Sequence, residues 1–195
     1  MNNKEWDKLV AFLNGVAGAT ELLSRASQNG FFIEAVCLSA NIIDAQLRIG
    51  IILKHQIETK SREIHIEYLF QDEKGKKYSE RDIFKISKEK KVINEDLFQK
   101  LSAIYDDRNR VIHRYIITEI TTAEVLHIGI RYEKLLQEIN NRIFEIEKEQ
   151  VTLGIGMTVS GPNFEGTEAK KWIKDMAEEK HSSNWLSKTI SRAQK

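Results

Sequence analysis

Six side chains near the middle of the chain could carry phosphodiester chemistry: Arg108, Asn109, Arg110, His113, Arg114 and Tyr115. Within about two helical turns they offer permanent cations, a polar amide, an imidazole that titrates near neutral pH and a phenol. Cleavage of RNA through its own 2′-hydroxyl needs three things. A base takes the 2′ proton, an acid protonates the leaving oxygen, and a cation stabilises the charge that builds on the phosphorane-like transition state. Histidine can fill the first two roles and arginine the third, through its planar fork of donors. No metal is required. On a helix, Asn109 and His113 are surface neighbours at a four-residue spacing. Arg110 and Arg114 form a second such pair, further round, suited to holding RNA phosphates.

The helix that must position these groups has an irregular apolar face. Leu97, Leu101, Ile104, Tyr105, Val111, Ile112 and Tyr115 recur at three- and four-residue spacings and define one stripe. Arg108 falls inside it, about 20° around the wheel from both Leu101 and Tyr115. An arginine keeps its charge in a protein, and a buried cation without a partner is costly. Either the stripe turns outward here, or Arg108 faces an anion at a seam between helices or subunits. One helix also supplies only one histidine. Two such helices apposed across a two-fold axis would supply two, which predicts an isologous dimer with the Arg108 and His113 helices facing each other.

Composition narrows the setting. The chain has 195 residues, 41% apolar and 30% charged, with one proline and ten glycines. That is enough for a sizeable core, and it favours long uninterrupted helices. The net charge is +1, so any contact with RNA rests on a local patch rather than a global basic field. The single Cys37 rules out an intrachain disulfide and fits a reducing compartment. The polar start, Met1 to Trp6, has no apolar leader region, and no run of about 18 apolar residues is evident. The expected location is therefore cytoplasmic, without a membrane span.

Periodicity and caps predict an all-α chain. A first amphipathic helix covers 4–27 and breaks at Gln28-Asn29-Gly30. A second, the most apolar, runs from Phe31 to Gln56 and carries a narrow polar stripe of Glu34, Asn41, Asp44, Arg48 and His55. Such a stripe is ordinarily a solvated face, but its width of about 80° suggests partial burial. Residues 64–68 alternate like a strand yet are few enough for one helical turn. Ser79-Glu80-Arg81-Asp82 starts a short helix to about Lys90, and Asn94-Glu95-Asp96 starts the motif helix, to about Ile117. Thr121 and Glu124 have the spacing of a capping box and open a long helix to about Gln150. The expected architecture is an antiparallel bundle of four or five helices over 1–150, followed by a Gly-containing connector and a helical tail over 151–195. Two apolar clusters in that tail, Trp172 with Ile173 and Met176, and Trp185 with Leu186 and Ile190, predict docking on the bundle or on a partner.

Arg108-x4-His113-x-Tyr115 on a late helix of such a bundle resembles the signature of the HEPN superfamily. Asn109, directly after the arginine, fits the same pattern. So does the order of elements: two long helices, an irregular segment, the motif helix and a long closing helix. The resemblance covers roughly residues 5–150. It implies an α-helical, commonly dimeric, metal-independent ribonuclease from toxin–antitoxin, phage-defence or RNA-processing systems. Arg108 and His113 would be catalytic, with Asn109 in support. The added tyrosine resembles the HEPN toxins silenced by a nucleotidyltransferase (MNT) antitoxin, which adenylylates that residue. It implies Tyr115 as a modification site and such an antitoxin, or another regulatory protein, as partner. The insertion at 57–92 and the tail after 150 depart from those compact toxins.

Other constellations read as weaker. His55 and His65, with Glu58, Glu63 and Glu67 around them, have metal-ligand chemistry but read as scattered surface groups, so no metal and no cofactor is expected. Lys85, Lys88, Lys90 and Lys91 read as a solvated face that could extend a phosphate-tracking surface. Gly154-Ile155-Gly156 lacks the flanking strand of a nucleotide-binding loop. Cys37 reads as core rather than nucleophile. The competing function is a non-catalytic HEPN-like bundle that binds RNA or protein and keeps the motif helix for dimerisation.

Overall fold

A computed structural model describes residues 3–70, 77–160 and 166–181, and these are all-helical, with no strand among them. Helix α1 spans Asn3–Asn29, α2 Phe32–Thr59, α3 Ile66–Leu69, α4 Glu80–Glu89, α5 Glu95–Arg114, α6 Thr122–Leu153 and α7 Gly166–His181; a 3-10 turn at Thr158–Ser160 precedes α7. The strand-like alternation at 64–68 resolves as the single turn α3. Local chemistry sets several of the boundaries. Ser79 and Asp82 form a capping box at α4, Thr121 and Glu124 form another at α6, and the Asn94 side chain accepts from Leu97 N at α5. Gly30, at φ +73°, turns the chain between α1 and α2 in a conformation that favours glycine.

Helix α2 is the axis of the fold, packed by α1, α4, α5 and α6. Val36, Ile43, Leu47, Ile51, Ile52 and Leu53 are fully buried on it, against Leu101, Val111, Ile139 and Ile146 of α5 and α6 and Ile83 of α4. Each such side chain contributes roughly 1.5–3 kcal/mol by leaving water. At Gly50 the helices approach so closely that a Cβ would stand 2.5 Å from Val92 Cγ1 and 2.7 Å from Ile143 Cδ1. By length and composition alone α2 is apolar enough to cross a membrane. Two-thirds of that window is nevertheless buried by the other helices, as befits the central helix of a bundle.

The polar stripe of α2 is partly buried rather than simply solvated. Arg48 is 8% exposed. Its Nε donates to Asp44 at 2.6 Å, and its two terminal nitrogens donate to the carbonyls of Tyr68 and Tyr78 at 3.0 and 3.3 Å. One arginine thus fixes both ends of the segment between α3 and α4.

Helix α6 runs to Leu153, just past Gln150. The connector is tied down by Gln150, fully buried, whose Nε2 donates to Leu53 O and to Gln56 Oε1. Gln150 Oε1 accepts from Thr158, and Gln56 Oε1 accepts from Met157 N. Gly156, at φ +85°, lies so close that a Cβ would meet the Gln150 amide at 2.3 Å. Helix α7 then packs on α1 of the same chain through Met176 and Ala177 against Ala17, with Asn14 Nδ2 donating to Glu179 Oε2 at 3.0 Å. The expected docking therefore occurs within the chain, but Trp172 and Ile173 stay 39% and 45% exposed. Trp185, Leu186 and Ile190 lie outside the described residues.

Candidate functional site

The motif helix α5 owes its placement to Leu97, Leu101, Ile104 and Val111, which are buried beneath it. That burial turns the 106–114 surface outward beside the start of α4. Arg108, Asn109, Arg110, His113 and Arg114 all line one open recess of about 610 Å³, together with Tyr105 and Asp106. Arg108 and Asn109 are half-buried, whereas Arg110, His113 and Arg114 are exposed. The five catalytic and RNA-binding candidates thus share one surface.

Arg108 is answered within the chain. Its Nη2 pairs with Glu80 Oε2 at 3.0 Å, the side chains being 20% and 13% exposed, and its Nη1 donates to Asn109 Oδ1 at 3.0 Å. Its Nε is buried and unpartnered among the described residues. Of the alternatives, the anion at a helix seam is what the structure shows: Glu80 opens α4 at the edge of the α5 stripe. Burial raises the Glu80 pKa above the ordinary carboxylate value, Arg108 pulls it back down, and Asp44 on α2 pushes it up again. Glu80 was legible only as an acidic residue in a helical first turn. Its role as counter-ion depends on how α4 docks.

Tyr105 forms the aromatic wall. The Arg81 guanidinium lies 4.6 Å from its ring centroid and that of Arg108 5.6 Å. Arg81 also holds Asp106 at 2.8 Å. Arg110 lies 3.4 Å from Asp107 and 3.9 Å from Glu124, so acidic neighbours temper its charge. His113 and Arg114 have no ion pair among the described residues. Cys37, half-buried on α2, has its pKa raised chiefly by burial, with Arg108 opposing, in keeping with a core thiol.

Tyr115 is placed differently from the wheel argument. It is the residue capping α5, and its hydroxyl lies 3.1 Å from Thr122 Oγ1. It lines a second recess, of about 450 Å³, with Phe31, Phe32, Ile33, Glu34 and Val125. The shared face with Arg108 is therefore divided between two recesses. Beyond Tyr115, Ile116 and Ile117 are 93% and 78% exposed.

The remaining constellations sort clearly. In the basic run, Lys88 pairs with Glu95 and Lys90 with Glu58. Gly154 caps α6 in the left-handed conformation. The histidines read as scattered are the exception: His55 Nε2 and His65 Nε2 lie 2.9 Å apart. The loop after α2 folds back on that helix, a return that helical periodicity cannot register.

Compared with protein-family models, curated proteins and solved structures, the chain matches none.

Proposed function

We propose that this chain is a HEPN-like, metal-independent endoribonuclease of a toxin–antitoxin or phage-defence system, acting in the cytoplasm and cleaving RNA through its 2′-hydroxyl. The observation that carries the reading is the gathering of Arg108, Asn109, Arg110, His113 and Arg114 around one open recess. His113 is the acid/base, exposed to an incoming strand. Arg108 stabilises the developing phosphorane charge with the fork hydrogens left free by Glu80 and Asn109, and Asn109 orients that fork. Arg110 and Arg114 hold flanking phosphates, and the Tyr105 ring offers a face for a base.

One recess holds one imidazole, so a second copy of the chain completes the proton-transfer pair. The bare Ile116 and Ile117, just past Arg114 in the chain, support a covered surface at this end of α5. Tyr115 is the residue a nucleotidyltransferase-type antitoxin would modify. With its hydroxyl on Thr122, a nucleotide attached there would fill the neighbouring recess and wedge the α5–α6 junction.

The competing reading, a binding module without cleavage, draws on one observation: Arg108 is already engaged by Glu80 and Asn109. The test is an assay of purified chain on single-stranded RNA with excess chelator. Cleavage to 2′,3′-cyclic phosphate ends, lost in His113→Ala, supports the enzyme. RNA binding without cleavage, unchanged in His113→Ala, supports the binding module.

A further inference from the structure

The hairpin where the end of α2 meets the following loop brings two imidazoles and two carboxylates together outside the Arg108 recess. His55 lies in the last turns of α2, and His65 is the residue that caps α3. Their Nε2 atoms are 2.9 Å apart. On its other side, the His65 ring meets Glu67, with Nδ1 2.8 Å from Oε1. An ionised carboxylate can only accept there, so Nδ1 is the donor to Glu67 and Nε2, which faces His55, is the atom of the ring available as a ligand. Glu63 Oε1 stands 3.9 Å from the same Nε2. One ligand atom each from His55, Glu63 and His65 falls within 4.8 Å of the others.

From this convergence we infer that His55, Glu63 and His65 bind a divalent transition-metal ion of the zinc type, clipping the loop onto the end of α2. Tetrahedral zinc with nitrogen and oxygen ligands at about 2.0–2.2 Å requires ligand separations of roughly 3.3–3.5 Å. The His55–His65 and His65–Glu63 separations of 2.9 and 3.9 Å bracket that value, and all three ligand atoms lie within 4.8 Å of one another, so side-chain rotation, largest at the exposed Glu63 carboxylate, closes them on the ion. Two imidazoles with one carboxylate suit zinc, cobalt or copper and not calcium or magnesium, which take oxygen ligands. Three protein ligands leave the fourth position to water. Glu67 acts as the outer carboxylate, fixing the His65 tautomer and balancing the remaining charge.

The loop is already shaped for the ion. Gln56 Nε2 donates to Glu63 O at 2.8 Å, and Ile64 is 2% exposed between the two flanking ligands of the loop. Lys60 turns the chain at the end of α2 in the left-handed conformation, with φ 52°. Little ordering remains to be done on binding, because the backbone that carries Glu63 and His65 is tied to α2 without the ion. None of these residues lines the Arg108 recess, so the inference stands apart from the proposed ribonuclease.

The test uses the tag-free full chain, stripped with chelator and dialysed. Zinc is titrated by calorimetry and cobalt by its visible ligand-field band. The expected result is one saturable equivalent per chain and a tetrahedral cobalt band, with no response to magnesium. At a hundredfold excess over Kd, zinc should raise Tm by roughly 5–10 °C. His55→Ala and His65→Ala should each weaken zinc at least about a hundredfold, and Glu67→Gln about tenfold or more, whereas His113→Ala should bind as wild type. Should His65→Ala fail to fold, the exposed Glu63→Gln carries the decision: an unchanged Tm in chelator with zinc weakened tenfold or more supports the site. No saturable zinc binding by the wild-type chain overturns the inference, leaving a simple histidine–histidine hydrogen bond. Binding that survives both histidine substitutions overturns it equally.

Discussion

Replacing Arg108 with alanine should destabilise the fold in a pH-dependent way. A cation inside an apolar stripe suggests that its removal would stabilise the bundle, but the Glu80 pairing reverses that expectation. With 20% and 13% of their side chains exposed, the two groups are mostly withdrawn from water. Losing one partner of a fully buried pair costs about 3–5 kcal/mol, and a hydrogen bond to a charged group about 1.5–3 kcal/mol. Partial exposure places Arg108→Ala at the lower end, about 2 kcal/mol near neutral pH. In a chain of this size that is a fall in Tm of about 4–8 °C. Glu80 already has a raised pKa, with burial as the main cause and Arg108 opposing it. Without Arg108 its pKa must rise further. For an acid whose folded pKa exceeds its unfolded value, the stabilisation is complete below the unfolded pKa and is lost as pH rises through the folded one. The variant should therefore lie close to wild type at about pH 4 and fall away by about pH 7.5. Thermal melts of both proteins across that range measure the difference. Glu80→Gln in the Arg108→Ala background should recover most of the loss at neutral pH. An equal deficit at both pH values, or no recovery in the double variant, would refute the assignment of Glu80 as the counter-ion.

In the ribonuclease assay, His113→Ala should cost at least about a hundredfold in rate with Tm unchanged, because the exposed ring supports nothing in the fold. Sedimentation at micromolar concentration should show a dimer, and Ile116→Asp with Ile117→Asp should shift it toward monomer; a wild-type monomer throughout would count against the two-fold site. Tyr115→Phe should cost about 1 kcal/mol through loss of the Thr122 hydrogen bond, and should abolish the mass increase expected on co-expression with a nucleotidyltransferase antitoxin. Truncation after residue 150 should lower Tm more than truncation after 165. The shorter chain strips Met157 and Thr158 from the buried Gln56 and Gln150 amides, whereas the longer one keeps those bonds and loses the α7 contact with α1.

Where the physics is local, the amino-acid sequence by itself determined the structure. Ser79 with Asp82, Thr121 with Glu124, and Asn94 start their helices because a side chain three residues away satisfies the free backbone donors. The same periodicity that buries Leu97, Leu101, Ile104 and Val111 turns Asn109, Arg110, His113 and Arg114 outward together. The recess-lining set was therefore readable from spacing on a single helix. Tertiary packing decided everything that required a partner from another element. Arg108 finds Glu80 only because α4 docks its first turn against α5. Tyr115 is drawn to Thr122, away from Arg108, because α5 ends at Arg114 and the chain turns into α6. His55 and His65 meet because the loop after α2 reverses direction. Gln150 ties the connector to the bundle because the end of α6 packs along the end of α2, which sets its amide beside Gln56 and Leu53. A hydrophobic pattern specifies which face of a helix is buried, but not which polar group on a distant element will stand opposite it. That choice falls to the few arrangements in which nearly all buried charges and amides are answered.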